Sequence, residues 1–190
     1  MKKQTAFTLL EIAIILVIIG WFLGGILKCQ CIVQSAKIKN LENDFQGITA
    51  AIYTYQDKYQ VLPGDINGNG KIDSAFDSTK NHDESRLFWL HLRRAGLVAG
   101  NPNDQQQPIN AFHGLTGVST DISTGKKNGI AGLFVGFTNV PKDVAIIIES
   151  RSDDEKPNTG FIQAHRIVAG VAIPVEDYSG NGPYNLYIGL

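Results

Sequence analysis

Cysteine is scarce in this chain, with two in 190 residues, too few for a disulfide-dense scaffold. Charge is scarce too, and balanced. Lys and Arg number 17 against 18 Asp and Glu, a formal net charge of −1, so binding to DNA or RNA through bulk charge is not expected. Enzyme signatures are missing. The four histidines, His82, His91, His113 and His165, are scattered and form no HExxH pair. Nucleophile elbow, phosphate loop and dinucleotide fingerprint are all absent, which leaves an enzyme without positive support. Disorder is excluded by what is present: 43% of residues are apolar and only 18% charged. The length suits one domain with a real core.

The apolar share is unevenly spread. Residues 12–27, IAIILVIIGWFLGGIL, carry no charge. With Phe7-Thr8-Leu9-Leu10-Glu11 they form 21 residues holding a single charge, Glu11. As a helix this run is roughly 31 Å long, close to the hydrocarbon thickness of a bilayer. Lys2 and Lys3 precede it, which predicts a cytoplasmic N-terminus. A secretory signal would place its small-residue cleavage site after the apolar run. Here Lys28-Cys29-Gln30-Cys31 follows Leu27, and the small residue Ala6 stands before the run. A carboxylate in lipid is costly unless paired. Cutting between Ala6 and Phe7 would create an α-amino group near the depth of Glu11. In a neighbouring copy of the helix, that amine could neutralise Glu11 across the interface. The plainer alternative is a Glu at the headgroup boundary of a simple anchor.

Ala6-Phe7-Thr8-Leu9-Leu10-Glu11 followed by IAIILVIIG resembles the N-terminal signal of type IV pilins and pseudopilins. The resemblance implies cleavage by a prepilin peptidase between Ala6 and Phe7, N-methylation of Phe7, and Glu11 as the carboxylate that pairs during filament assembly. The family usually places Gly before the cut, where this chain has Ala6. Residues 1–6 are then a leader, 7–27 the transmembrane and assembly half of the first helix, and 28–190 a globular head. The implied fold is α+β and pilin-like: a long N-terminal helix, half in the membrane and half amphipathic, packed on a C-terminal antiparallel sheet. The pilin-like disulfide near the C-terminus is absent.

The helix is expected to continue past the apolar run. Ile38, Leu41, Phe45, Ile48, Ile52, Tyr55 and Tyr59 recur at spacings of three and four, an unbroken apolar stripe. Such a stripe suits a coiled-coil seam or a face laid on a sheet, and the strand-rich remainder favours the sheet. From Phe7 to Tyr59 the helix would run roughly 80 Å, with Gly24-Gly25 as its weakest point and Pro63-Gly64 as its stop. Cys29 and Cys31 stand two apart and cannot bridge each other.

Residues 64–77 carry half of a calcium loop. Asp65, Asn67 and Asn69 take positions 1, 3 and 5, Gly70 the sharp turn, Lys71 the carbonyl position and Ile72 the apolar position. This half resembles EF-hand and dockerin loops. Asp73 could add a ligand at position 9. Position 12, which needs a bidentate acid, is Phe76, and Asp77 comes one residue late. The expected cofactor is therefore Ca²⁺ held weakly, at roughly 10⁻⁴ to 10⁻³ M.

Downstream, a short helix through Ala95 is expected, capped by Asp83 or Ser85 and closed by Gly96, with Leu87, Phe88, Leu92 and Ala95 inward and Trp89 at the edge. Its run Phe88–Leu97 resembles a stretch in some minor pilin-like proteins. Residues 100–129 read as a surface loop. Strands are expected at 130–137, 144–150, 160–169 and 184–190, the first two joined as a hairpin through 139–143. Asp153-Asp154-Glu155 reads first as a solvated turn and second as a cation site. Together these features predict a minor pilin or pseudopilin of a bacterial type IV pilus, competence or type II secretion filament. Its partners are other such subunits, the peptidase and the inner membrane, which it crosses once with its head outside the cytoplasm. The alternative is a membrane-anchored, calcium-dependent binding module that does not polymerise.

Overall fold

A computed structural model describes residues 8–120, 130, 132–168 and 171–190, without the side chains of 26–31 and 171. The leader, the processing pair Ala6 and Phe7, and the side chains of Cys29 and Cys31 lie outside these residues. The fold is α+β, with an N-terminal helix and a C-terminal antiparallel sheet. Helix α1 spans Leu9–Tyr59, α2 Glu84–Arg94 and α3 Lys142–Ser152. The strands are β1 (Thr116–Ser119), β2 (Phe134–Val140), β3 (Ile162–Val168), β4 (Val171–Pro174) and β5 (Tyr184–Gly189). They form one sheet in the order β1-β2-β5-β3-β4, antiparallel at every pairing. The last strand in the chain is thus central, and its run Tyr184–Ile188 is buried on both faces.

The chain divides into two compact units, Met1–Lys39 and Asn40–Leu190. In the first, the apolar side chains described between Leu9 and Val33 lie open, with Leu9 90% and Trp21 86% exposed, while Ile38 near the unit's end is buried. Among the described residues no helix is long and apolar enough to cross a membrane. In the second unit the stripe residues Leu41, Ile48 and Ile52 are buried, while Tyr59 is exposed. Tyr55 lies parallel to the His91 ring of α2, 6.3 Å between centroids.

Helix α2 is more buried than an edge helix. Trp89 and Leu90 join Leu87, Phe88 and Leu92 in the core, and Ala95 is only half-buried. Asp83 holds the N-cap position, but its carboxylate accepts from the Ser78 hydroxyl. The cap comes from elsewhere: the Ser85 N–H donates to Ser74 Oγ at 2.7 Å. At the other end Gly96, at φ +72°, and Leu97 return N–H groups to the Arg93 and Leu92 carbonyls, closing a Schellman turn.

Two expectations are corrected here. Residues 144–150 are helix α3, not a strand, and no hairpin joins them to β2. The β-branched composition favoured a strand, but Val144, Ala145, Ile148 and Glu149 are buried at helical spacing, behind Pro141 at the N-cap. Pro141 fixes the entry and Asp143 suits the first turn. Residues 116–119 are strand β1, fully buried, not surface loop. Ahead of it, buried Asn110 organises the chain by accepting from the Phe112 and Gly114 N–H groups and donating to the Thr138 carbonyl. Residues 121–129 of the expected loop lie outside the described residues. Strand β3 falls within the expected 160–169, and β4, for which no strand was expected, lies on the sheet edge.

Phe76 ties the loop region to this sheet. Its ring packs edge-on to Tyr187 at 5.2 Å and lies 6.3 Å from Phe134. Gly117 and Gly136 face each other in register beneath it, and a Cβ on either would collide with Phe76.

Candidate functional site

The start of α1 holds Glu11 in a reciprocal arrangement. The Thr8 N–H and hydroxyl both donate to Glu11 Oε2 at 3.1 Å, and the Glu11 N–H donates to Thr8 Oγ1 at 3.3 Å. This is a capping box, Thr at the N-cap and Glu three residues on. Its signal in the sequence is Thr-x-x-Glu directly ahead of an apolar run. Both Thr8 donors are neutral, so the bonds orient the carboxylate without cancelling its charge.

The 65–73 loop gathers most of the expected cation ligands. Asp65 Oδ1 accepts from the Gly68 and Asn69 N–H groups at 2.7 and 3.3 Å, and Oδ2 from the Gly70 N–H at 2.7 Å. Asn67 Oδ1 accepts from the Asn69 N–H and Asn69 Oδ1 from the Lys71 N–H, a chain of Asx turns. The Asn69 side-chain amide donates to Asp73 Oδ2 at 2.6 Å, drawing position 9 against position 5. Asp65, Asn67, Asn69, Lys71 and Asp73 therefore share one loop. It borders a cavity of ≈ 350 Å³ lined by Gln56, Gln60, Val61 and Leu62 as well as Asp65, Gly68 and Gly70. Asp77 follows Phe76; burial raises the Tyr187 phenol, and the charge of Asp77 adds to that in the same direction.

Two anchors hold the loop. Ile72 is fully buried; its N–H donates to Thr120 Oγ1, and its carbonyl accepts from the Thr120 N–H and the Ser119 hydroxyl. Glu84, the first residue of α2, closes the other side. Its Oε2 accepts from the Asp73 N–H at 2.6 Å and its Oε1 from the Ile66 N–H at 3.3 Å. Sequence spacing carries no sign of Glu84, because it lies outside any twelve-residue loop frame. Phe76, at the position where an EF-hand has its acid, is core.

Three titratable groups, buried His165 and Glu149 and half-buried His91, lie outside that loop. His165 on β3 is 2% exposed, packs 4.7 Å from the Tyr187 ring, and burial lowers it to about 4. His91 is held neutral in the same direction, by burial and then by Arg94, and its Nδ1 accepts the Gly64 N–H at 3.0 Å. Glu149 on α3 is fully buried; burial first, then the charges of Asp153 and Asp154, raise it to about 8.

No family model, curated protein or solved structure matches this chain.

Proposed function

We propose that the chain is a structural subunit of the prepilin type rather than an enzyme: a minor pilin or pseudopilin that is cut between Ala6 and Phe7, methylated at Phe7, and assembled into a type IV pilus or a type II secretion-like filament. The observation that carries this reading is the order of parts at the N-terminus: basic leader, small residue, Phe, the Thr8–Glu11 box and an apolar run through Leu27. The exposed apolar side chains on α1 support it, since in water that surface would be unfavourable and lipid or neighbouring helices would cover it. Before assembly such a subunit crosses the inner membrane once, with its head outside the cytoplasm. Glu11 attracts a neighbour's N-terminal amine by its charge, while Thr8 sets its orientation. The finer pilin-like arrangement, in which the stripe from Leu41 to Ile52 lies on the sheet, belongs to the same proposal.

Calcium fits the 65–73 loop by donor chemistry. The Asp65 and Asp73 carboxylates, the Asn67 and Asn69 amide oxygens and the Lys71 carbonyl are hard oxygens that Ca²⁺ accepts. Asp77, one residue past the position of the bidentate acid, is the sixth residue of the proposed set. The bound ion would stiffen the loop that Glu84 fastens to α2. These geometries also favour the second reading, a calcium-dependent binding module on a membrane anchor.

The test separates the two. Mass spectrometry of the mature chain should find N-methylated Phe7 at its N-terminus, and an intact Met1 would sink the filament reading. Glu11→Ala should abolish recovery of the chain in filaments, whereas a non-polymerising module would be indifferent to it.

A further inference from the structure

Three acids meet where α3 ends. Carboxylate oxygens of Glu149, Asp153 and Asp154 all lie within 4.8 Å of one another. Ionised together, three carboxyl groups this close repel, and the negative end of a helix is an unfavourable place for them. Glu149 is 0% exposed, and its Oε1 has no hydrogen-bond partner, although the side chain reaches the other two acids. Its other oxygen takes only a long bond of 3.5 Å from the Tyr178 hydroxyl. A buried carboxylate oxygen left bare is unfavourable unless something positive meets it. The basic residue of that last turn does not. Arg151 points instead to Glu42 on α1, 3.5 Å away.

The turn after α3 nevertheless fixes the acids in place. Asp153 Oδ2 accepts from the Ile162 N–H at 2.6 Å, at the start of β3. Asp154 accepts from the Lys156 N–H at 3.1 Å and from the Thr159 hydroxyl. These bonds occupy part of each carboxylate and leave lone pairs for a further partner. The result is an oxygen-only pocket with a buried wall, Glu149, and a solvent-facing rim, Asp154, through which an ion can enter.

We infer that Glu149, Asp153 and Asp154 form a binding site for a hard divalent cation, Ca²⁺, separate from the 65–73 loop. The donor set contains no nitrogen or sulfur, which disfavours zinc and copper. Its ligands come from a helix end and an irregular turn, a set that the flexible coordination of Ca²⁺ tolerates better than the strict octahedron of Mg²⁺. The Tyr178 hydroxyl, on the chain leading to β5, stands beside the pocket. A cation there joins the end of α3 to the start of β3, so its effect is on the head alone.

Terbium, a luminescent stand-in for Ca²⁺, tests this on the full chain in detergent micelles, with Tyr178 placed to sensitise its emission. Asp65→Asn removes the principal acid of the other loop. In that variant, tyrosine-excited Tb³⁺ emission should persist and be displaced by millimolar Ca²⁺. Adding Glu149→Gln, which keeps the side-chain shape, should weaken binding at least about tenfold. Asp154→Asn, at an exposed position, should do the same and guards against misfolding of the buried variant. The inference is overturned if Asp65→Asn alone abolishes emission, or if both second-site variants bind as Asp65→Asn does.

Discussion

The two units of this chain use the same apolar residue types in opposite ways. From Leu9 to Leu23 leucine, isoleucine and tryptophan stand open along a helix, while from Leu41 onward the same types are buried, as in Leu41, Ile52 and Trp89. The difference lies in what surrounds them. In Asn40–Leu190 the chain supplies its own partners, through two further helices and five strands. In Met1–Lys39 the apolar side chains described between Leu9 and Val33 stay exposed. The first unit is built for an environment, the second for itself.

Removing one aromatic ring from each unit is the strongest way to break this comparison. Phe76→Ala should destabilise the head by roughly 3–5 kcal/mol, because it empties the contact with Phe134 and Tyr187. Trp21→Ala should leave denaturant unfolding of the head unchanged. Equal losses in micelle-embedded chain would dissolve the distinction between the units.

A pH titration sharpens the description of the second unit. His165 is neutral in the fold down to about 4, whereas its ordinary value is 6.5. The unfolded chain therefore takes up the proton first, so stability is whole above pH 6.5 and is lost as pH falls toward 4. That loss should be roughly 3 kcal/mol. In His165→Leu the difference should vanish from the stability-against-pH curve. A wild-type curve that stays parallel to the variant's would show that burial of His165 is not what it resists.

Smaller effects probe the helix start and the head's surface. Thr8→Ala should speed amide exchange in the first turn of α1 by an amount matching about 1 kcal/mol, with the head unaffected. Unchanged exchange at Leu10 and Glu11 would mean the box contributes nothing. Arg151→Ala breaks the exposed pair with Glu42 and should cost under about 1 kcal/mol by thermal unfolding. A larger loss would mean that Arg151 does more than meet Glu42 at the surface.

The head was legible in sequence where one signal dominated. Spacing revealed the amphipathic part of α1, and Gly96 marked the close of α2, because periodicity and turn chemistry are local. Residues 144–150 misled because β-branched side chains speak for a strand, whereas Pro141, Asp143 and the buried register of Ala145 and Ile148 speak for a helix. Tertiary burial decided between them. Of the candidate sites, the Asp65–Asp73 spacing was visible. Glu84 and the meeting of Glu149 with Asp153 and Asp154 were not, since both depend on where helices dock. The Thr8–Glu11 box is local, and its Thr-x-x-Glu spacing carries it in the sequence.

The central proposal is that the charge of Glu11, and not only its cap, drives assembly. Glu11→Gln separates the two, since glutamine serves in a capping box but carries no charge. The measurement is the fraction of the chain recovered in sheared, sedimentable filaments from cells that make it, beside the wild type. Loss of Glu11→Gln to the background level of Glu11→Ala, with the first turn of α1 still protected from exchange, is the predicted result. Recovery of Glu11→Gln at the wild-type level would contradict the account and leave Glu11 as a helix cap.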